Sequence, residues 1–456
     1  MKRFISTTLA VAFALLLFGS CGKTSANGDK DADSLTPDSG AGEGTLTVLY
    51  LPGALERYDS AARIASHYFS QLYDIKVEYY PEVTWDDIAT GKAQTYFEKL
   101  SADIMTGNGP DVFVINSDWN SYIGDLYKKM DAGAFLDLNE VIKGDAEFDI
   151  GEYEQRVLDA GLYKGKRYFL PFSYRVPAYI TAKERLENLG MAPEDFYGYE
   201  RFITACEIVQ EKERLLFAST GLTFYKNASA CGWFDECIDF ETGAVDLELS
   251  TTERIVKLAA GEHLLSDEIL NGIITMHNSY NLFLTEEYSL ANFAESPVDF
   301  ASFLNEAGAN GDDIVMLPVP NATGYHTAYV ADYCMISGAT DNPGTAWKYV
   351  KCFLSDRIQE SSFQVTTIGL RAMGVKSVYR DEVIDAWFTK GRGISPATET
   401  SIDRVKEYFD RYDNVVFPFS RGYMVYTKLW TGLFSPEKYA KQKAELANYL
   451  KIYLSE

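Results

Sequence analysis

Apolar positions along this chain recur at two spacings, and the switches between them outline its elements. Thr45–Leu51 (TLTVLYL) is β-branched and apolar, predicting a strand that Pro52-Gly53 ends. Leu55, Tyr58, Ala62, Ala65, Phe69 and Leu72 then recur in threes and fours, the stripe of an amphipathic helix. Ile75–Tyr80 predicts a second strand, and Trp85 to about Thr106 a second helix. Gly107-Asn108-Gly109-Pro110 breaks that helix ahead of a short buried strand, Asp111–Ile115 (DVFVI). Strand, helix, strand, helix, strand is the rhythm of an α/β layered domain with a largely parallel sheet. Farther on, Arg167–Leu170 and Val176–Ile180 read as strands around Pro171, and Glu184–Leu189 as a short helix closed by Gly190. Ile314–Leu317 and Tyr329–Ile336 are again strand-like. Asp341-Asn342-Pro343 predicts a helix start with a capping side chain and Pro in the first turn. Ser435-Pro436-Glu437 opens the last helix in the same way, with Leu446, Tyr449, Leu450, Tyr453 and Leu454 on its buried face. No internal repeat is present.

The N-terminus follows a different pattern. Lys2 and Arg3 precede an almost unbroken apolar run, Phe4–Phe18, and then Gly19-Ser20-Cys21. The run is shorter than the roughly 20 residues of a membrane-spanning helix and matches the core of a signal peptide. The small residues before Cys21 resemble a bacterial lipobox, with Phe18 where Leu is usual. That implies cleavage after residue 20 and lipidation of Cys21. Residues 22–44 are Gly, Ser, Asp and other small polar residues, predicting a flexible tether. Asp29, Asp31 and Asp33 have the spacing that starts a calcium loop, but Ser34 and Gly40 stand where Gly and Glu are needed. The remaining chain is therefore expected on the extracytoplasmic face of a bacterial cell membrane, held by lipid alone.

The length of 456 residues allows two lobes rather than one core. A net charge of −24 repels phosphate backbones and so argues against a nucleic-acid partner. With 31 Tyr, 27 Phe and 6 Trp, the chain has more aromatic surface than a core requires, and Tyr and Trp fit a wet pocket with an apolar face. Setting Cys21 aside leaves five cysteines, an odd number, with no zinc spacing. Most are predicted to be buried thiols; Cys231 and Cys237 are near enough to pair, and that question stays open at the level of sequence. Gly-x-Ser-x-Gly, His-Glu-x-x-His and phosphate-loop motifs are absent. His67, His263, His277 and His326 are isolated. The expectation is a binding protein, not an enzyme, with no cofactor and no metal.

Several segments, in order, resemble the sugar-type extracellular solute-binding proteins of ABC importers, the family of the maltose-binding protein. They are Met105–Val114 (MTGNGPDVFV), Gly165–Gly190 (GKRYFLPFSYRVPAYITAKERLENLG), Ile314–Pro320 (IVMLPVP), Asn342–Leu354 (NPGTAWKYVKCFL) and Phe434–Leu454. Each is weak alone; five in order behind a lipobox are specific together. The resemblance implies a type II periplasmic-binding-protein-like α/β fold, its two lobes joined by three crossovers around a cleft. The expected division is a signal peptide (1–20), lipidated Cys21 and tether (21–44), lobe 1 (45–170), lobe 2 (171–313), a return to lobe 1 (314–358) and a C-terminal helical part of lobe 2 (359–456). By the same resemblance the loop Asn116-Ser117-Asp118-Trp119-Asn120 faces the cleft, which makes Asn116, Asp118 and Trp119 candidate solute contacts. The first crossover adds Ser173, Tyr174 and Arg175; Arg175 stands where the family carries a cleft Glu and favours an acidic or strongly hydrogen-bonding solute. Tyr225, Trp233 and Trp430 are candidate stacking aromatics. Competing roles for these residues are helix capping by Asp118, a structural Arg175, and core packing of the aromatics. The implied function is delivery of a sugar or oligosaccharide to ABC permease subunits by a lipid-anchored monomer. A surface sensor or adhesin and a two-carboxylate glycoside hydrolase are the alternatives.

Overall fold

The computed structural model describes residues 44–52, 61–84, 87–88, 90–212, 215–217, 230–239, 244–273, 289–294, 314–361, 372–379, 381–382, 384–385, 399–418, 425, 429 and 436–455. In chain order the main strands are β1 (Thr45–Leu51), β2 (Lys76–Tyr79), β3 (Val112–Asn116), β4 (Leu170–Arg175), β5 (Ala178–Ala182), β6 (Leu215–Phe217), β7 (Ser289–Ala294), β8 (Ile314–Pro318), β9 (Thr327–Ile336), β10 (Met373–Gly374) and β11 (Asn414–Val416). The longer helices are α1 (Ala61–Tyr73), α2 (Ala93–Thr106), α3 (Tyr199–Glu211), α4 (Ser250–Ile273), α5 (Pro343–Leu354), α6 (Glu399–Asp410) and α7 (Pro436–Ser455).

Two sheets organise the chain. The larger has seven strands in the order β10-β4-β9-β3-β1-β2, with β11 also paired to β9; the smaller has four, β8-β5-β7-β6. β1 pairs parallel to both β2 and β3, while β9 runs antiparallel to β3 and β4. The apolar runs of β1 and β3 arise because both faces of the larger sheet are covered. Leu46, Val48, Val112 and Val114 face the cluster that includes α1 and α5 residues; Leu49, Leu51, Phe113 and Ile115 face the cluster that includes α2 residues. On the first face Phe69 meets Tyr349 edge-on, their ring centroids 5.3 Å apart. The smaller sheet has its own core, filled by Phe202 and Val209 of α3, Ile255 and Leu258 of α4, and Leu446 and Leu450 of α7.

The chain passes between the bodies at its connections. β4 ends at Arg175, and after Val176-Pro177 the chain enters the smaller sheet as β5. β8 leaves the smaller sheet at Pro318, and β9 rejoins the larger at Thr327. Phe417 belongs to an apolar cluster of the larger body and Val425 to that of the smaller, so a third passage lies between them. These pairings correct three expected boundaries. The first passage lies at 176–177 rather than 170, and β4 runs through Pro171 at a register irregularity instead of breaking there. Residues 314–318 belong to the smaller sheet. Three described elements of the segment expected in lobe 2 (359–456) belong to the larger body instead: Met373 of β10 pairs with Tyr174, β11 pairs with β9, and α6 buries Val405 and Phe409 in the larger core. Strands of two and three residues carry too little periodicity to announce themselves.

Smaller differences have equally local causes. The helix expected from Trp85 is interrupted: residues 87–88 are helical, Gly91 then takes a positive φ of 76° in a turn, and α2 starts at Ala93. Pro343 opens α5 as expected, but Asn342 contributes its backbone carbonyl, which accepts from Ala346 N–H at 3.0 Å, and no side-chain cap. Cys206, Cys231, Cys237, Cys334 and Cys352 are free and buried, so Cys231 and Cys237 do not pair.

The second connection is pinned to the segment that follows α6. Asp413 Oδ1 and Oδ2 accept from the backbone N–H groups of His326 and Tyr325 at 2.9 and 3.1 Å. The Asp413 N–H donates back to the His326 carbonyl at 3.0 Å. Asn321 Oδ1 accepts from Thr323 N–H, Gly324 N–H and Asn414 Nδ2. A Cβ on Gly324 would come within 2.4 Å of Asn414 Cβ, so only glycine permits this approach. The His326 ring is buried against Tyr408, their centroids 4.2 Å apart. Burial lowers its pKa from 6.5 to about 4, partly opposed by the Asp413 carboxylate and reinforced by Arg411.

A pH dependence follows. Because the folded pKa lies below the unfolded one, the stability due to neutral His326 is complete above pH 6.5 and is lost as pH falls toward about 4. As pH drops across that window, the melting temperature of wild type should fall relative to that of His326→Phe, since Phe keeps the ring contact without titrating. A difference independent of pH would contradict burial of the neutral ring.

Candidate functional site

In open α/β sheets, crevices that bind ligands form beyond the carboxyl ends of the strands. Here β3 ends at Asn116 and β4 at Arg175, on the edge from which the first connection crosses to the smaller sheet. Strand register sets Asn116 of β3 opposite Asp332 of β9, and Asp332 opposite Ser173 of β4. Asn116 Nδ2 donates to Asp332 Oδ1 at 2.7 Å, and Ser173 Oγ donates to Asp332 Oδ2. All three side chains are buried. Arg175 pairs in register with Tyr329, its Nη1 3.4 Å from the Tyr329 hydroxyl.

Electrostatics bind these residues into one cluster. Burial pushes the Asp332 carboxyl above its usual range. Ser173, Asn116 and the Arg175 guanidinium pull it down, and the Asp118 carboxylate pushes it up. Asp118 is half-buried in the turn that Asn116 begins, where Asn116 Oδ1 accepts from the Asp118 N–H at 3.0 Å. One cation, two carboxyl groups, an amide and a hydroxyl thus share a strand-end surface, a set able both to donate to and accept from a polyhydroxylated solute. Among the described residues, no group of three or more His, Cys, Asp and Glu is arranged to hold a metal ion.

Asn116, Asp118, Ser173 and Arg175, expected near one another, are brought together. The aromatics differ. Trp119 is fully buried with Phe97 and Phe113, and its Nε1 donates to the Pro52 carbonyl at 2.5 Å, so in this conformation it offers a solute no face. Tyr174 points into the other core of the larger sheet, its ring 5.5 Å from Tyr412. Trp233 is fully buried in the smaller body, packs 5.4 Å from Phe202, and donates from Nε1 to the Pro320 carbonyl at 2.8 Å. All three expected solute contacts pack in cores, the competing role for the aromatics. Tyr225 and Trp430, like Cys21 with the signal peptide and tether, lie outside the described residues. Asp332 was not anticipated. Its signal in the sequence is an ionisable residue within the otherwise buried strand Tyr329–Ile336, a costly placement unless partnered.

The family model described as bacterial extracellular solute-binding protein matches residues 55–360, more than half of the chain. Solved structures share the fold at low identity. An ABC substrate-binding protein from Listeria monocytogenes, in complex with cycloalternan, is 16% identical with a TM-score of 0.53, over 89% of this chain and 99% of that one. The sugar-binding protein MalE from Xanthomonas citri is 12% identical with a TM-score of 0.57, over 90% and 97%. A solute-binding protein of an ABC transporter from Thermotoga lettingae, bound with α-D-tagatose, is 15% identical with a TM-score of 0.52, over 90% and 100%.

Substitutions at two positions test this placement. Trp119→Ala should cost about 3–5 kcal/mol of stability in denaturant unfolding, the range for truncating a buried aromatic; a surface-like loss below about 0.5 kcal/mol would contradict its burial. Asp332→Asn, which keeps the side chain's shape and one acceptor oxygen, should cost less than Asp332→Ala. Asp332→Ala, which strands Asn116 Nδ2 and Ser173 Oγ, should cost about 1–3 kcal/mol. Equal effects of the two would show that the carboxyl group's hydrogen bonds are unimportant.

Proposed function

We propose a function from one premise: the chain belongs to the bacterial extracellular solute-binding proteins, and we read it as the substrate-binding component of an ABC importer. Membership in that family carries an extracytoplasmic location. The solute is a sugar or oligosaccharide, held between the larger and smaller bodies and handed to permease subunits in the membrane. The carrying observation is the Asn116–Asp332–Ser173 network with Arg175 and Asp118, at the strand ends beside the first passage between the bodies. Cycloalternan and α-D-tagatose, named for two structures of the same fold, are both carbohydrates, which supports the reading.

The lobes in this reading are the larger body up to Arg175, together with the return from β9 to Phe417, and the smaller body in between and after. Closure of two half-sites around a solute converts binding into a change of shape that a permease can recognise. Arg175 is already compensated by nearby carboxyl groups, so it serves as a donor to hydroxyl groups as readily as to a carboxylate. The chain acts as a monomer, is tethered by lipid on Cys21, and catalyses no reaction of its solute.

A thermal-shift screen of neutral and acidic sugars tests this reading with protein lacking residues 1–43. At least one sugar should raise the melting temperature and, by calorimetry, bind with a Kd in the micromolar range or below, about −8 kcal/mol or more favourable. Arg175→Ala should weaken that binding about tenfold or more, as expected for a hydrogen bond from a charged group. A panel without a binder would reject the carbohydrate reading. Turnover of an oligosaccharide would instead favour the hydrolase.

A further inference from the structure

The connections between the bodies converge on one side chain. Tyr408, on the last turn of α6, is buried between them. Its hydroxyl donates to the carbonyl of Pro177 at 2.8 Å and lies 3.3 Å from the carbonyl of Leu317. Pro177 is the last residue of the first passage, and Leu317 is the penultimate residue of β8, where the second begins. The same ring covers His326 at the far end of that second passage. Beyond Tyr408 the chain runs through Asp413 and Asn414, which hold Tyr325, His326, Asn321 and Thr323, and through β11 to the third passage. α6 itself is fixed in the larger body through Val405 and Phe409.

We infer that Tyr408 is a positioning residue for solute binding: it ties the first two passages to the larger body at one point and so sets the resting angle between the lobes. Three features carry this. Hinge closure is absorbed by a few residues at the ends of elements, and Pro177 and Leu317 are such residues. A phenol hydroxyl has one proton, so Tyr408 cannot donate fully to both carbonyls at once. Ala178 and Pro318 pair at the ends of β5 and β8, so a rotation of the smaller body moves both carbonyls relative to Tyr408 and must alter how that proton is shared. Finally, Tyr408 lies at the hinge rather than among the strand-end polar residues, so its influence on affinity would act through lobe geometry.

The test needs no solute, which keeps its outcome separate from the carbohydrate reading. In the full chain carrying Cys21→Ser, spin labels are placed at Met105→Cys on α2 and Ile208→Cys on α3, both exposed; the five native thiols are buried. Distance distributions are then compared between Tyr408 and Tyr408→Phe, which keeps the ring and removes the proton. Loss of one hydrogen bond should shift the balance of lobe orientations about 2- to 10-fold, seen as a broadened or displaced distribution with the melting transition still cooperative. Asp413→Asn, which weakens the neighbouring clamp while leaving Tyr408 intact, is the second variant if Tyr408→Phe does not fold, and should broaden the distribution in the same sense. A folded Tyr408→Phe protein with the wild-type distribution would overturn the inference. So would an unfolded one accompanied by an unaltered Asp413→Asn distribution.

Discussion

Two sheets that share no strand are joined here by backbone running between two apolar cores. Where that path is buried, as at residues 176–177 and 319–321, a peptide group has left water, and its N–H and C=O must find partners in the protein. The second passage solves this with side chains: Asp413 takes two N–H groups, Asn321 takes two more and an amide, and the indole of Trp233 donates to Pro320. The first passage is only Val176-Pro177, and Pro177 removes one donor from the problem, leaving its carbonyl to Tyr408. Connections satisfied by side chains rather than by continuous ladders can bend without breaking a sheet. A two-lobed binder needs that property, and the rest of the fold holds these partners in place.

The polar cluster at the strand ends follows from the same arrangement. Along β4, Leu170, Phe172 and Tyr174 keep one face in the core, while Ser173 and Arg175 occupy the alternate positions and carry the polar groups. Burying Asp332 is favourable only because Ser173 and Asn116 donate to it and Arg175 lies within electrostatic reach. Asn116 is committed at both ends: its amide nitrogen holds Asp332 and its oxygen holds the Asp118 N–H. The inner residues therefore fix the geometry of the outer ones. Asp118 is the half-buried member of the cluster, and Arg175 lies beside Tyr329 at the end of β4.

Much of the fold was legible because long elements repeat their pattern. β1, β3, β9, α1 and α5 were each readable from several apolar residues in phase. The lobe boundaries were less so. β10 has two residues and β11 three, and their placement in the larger sheet depends on partners far away in sequence. A helix such as α6 shows an apolar stripe but not which core receives it. In the site, the carboxamide, hydroxyl, carboxylate and guanidinium of the strand ends were legible as chemistry. Asp332 was not, because a single acid in an apolar strand becomes meaningful only once Asn116 and Ser173 are seen beside it.

The tryptophans show why aromatic content is a poor guide to a solute platform. An indole can satisfy its one N–H inside the protein and then bury its whole ring, and both described candidates do so, Trp119 on Pro52 and Trp233 on Pro320. In each case the acceptor is a proline carbonyl, at the end of β1 and within the second passage respectively. The rings thus anchor backbone at the places where strands stop and the chain must turn. A stacking platform requires an aromatic whose polar end is satisfied while one face stays open, a condition that composition cannot report. What the larger lobe does present at its strand ends is polar and prearranged.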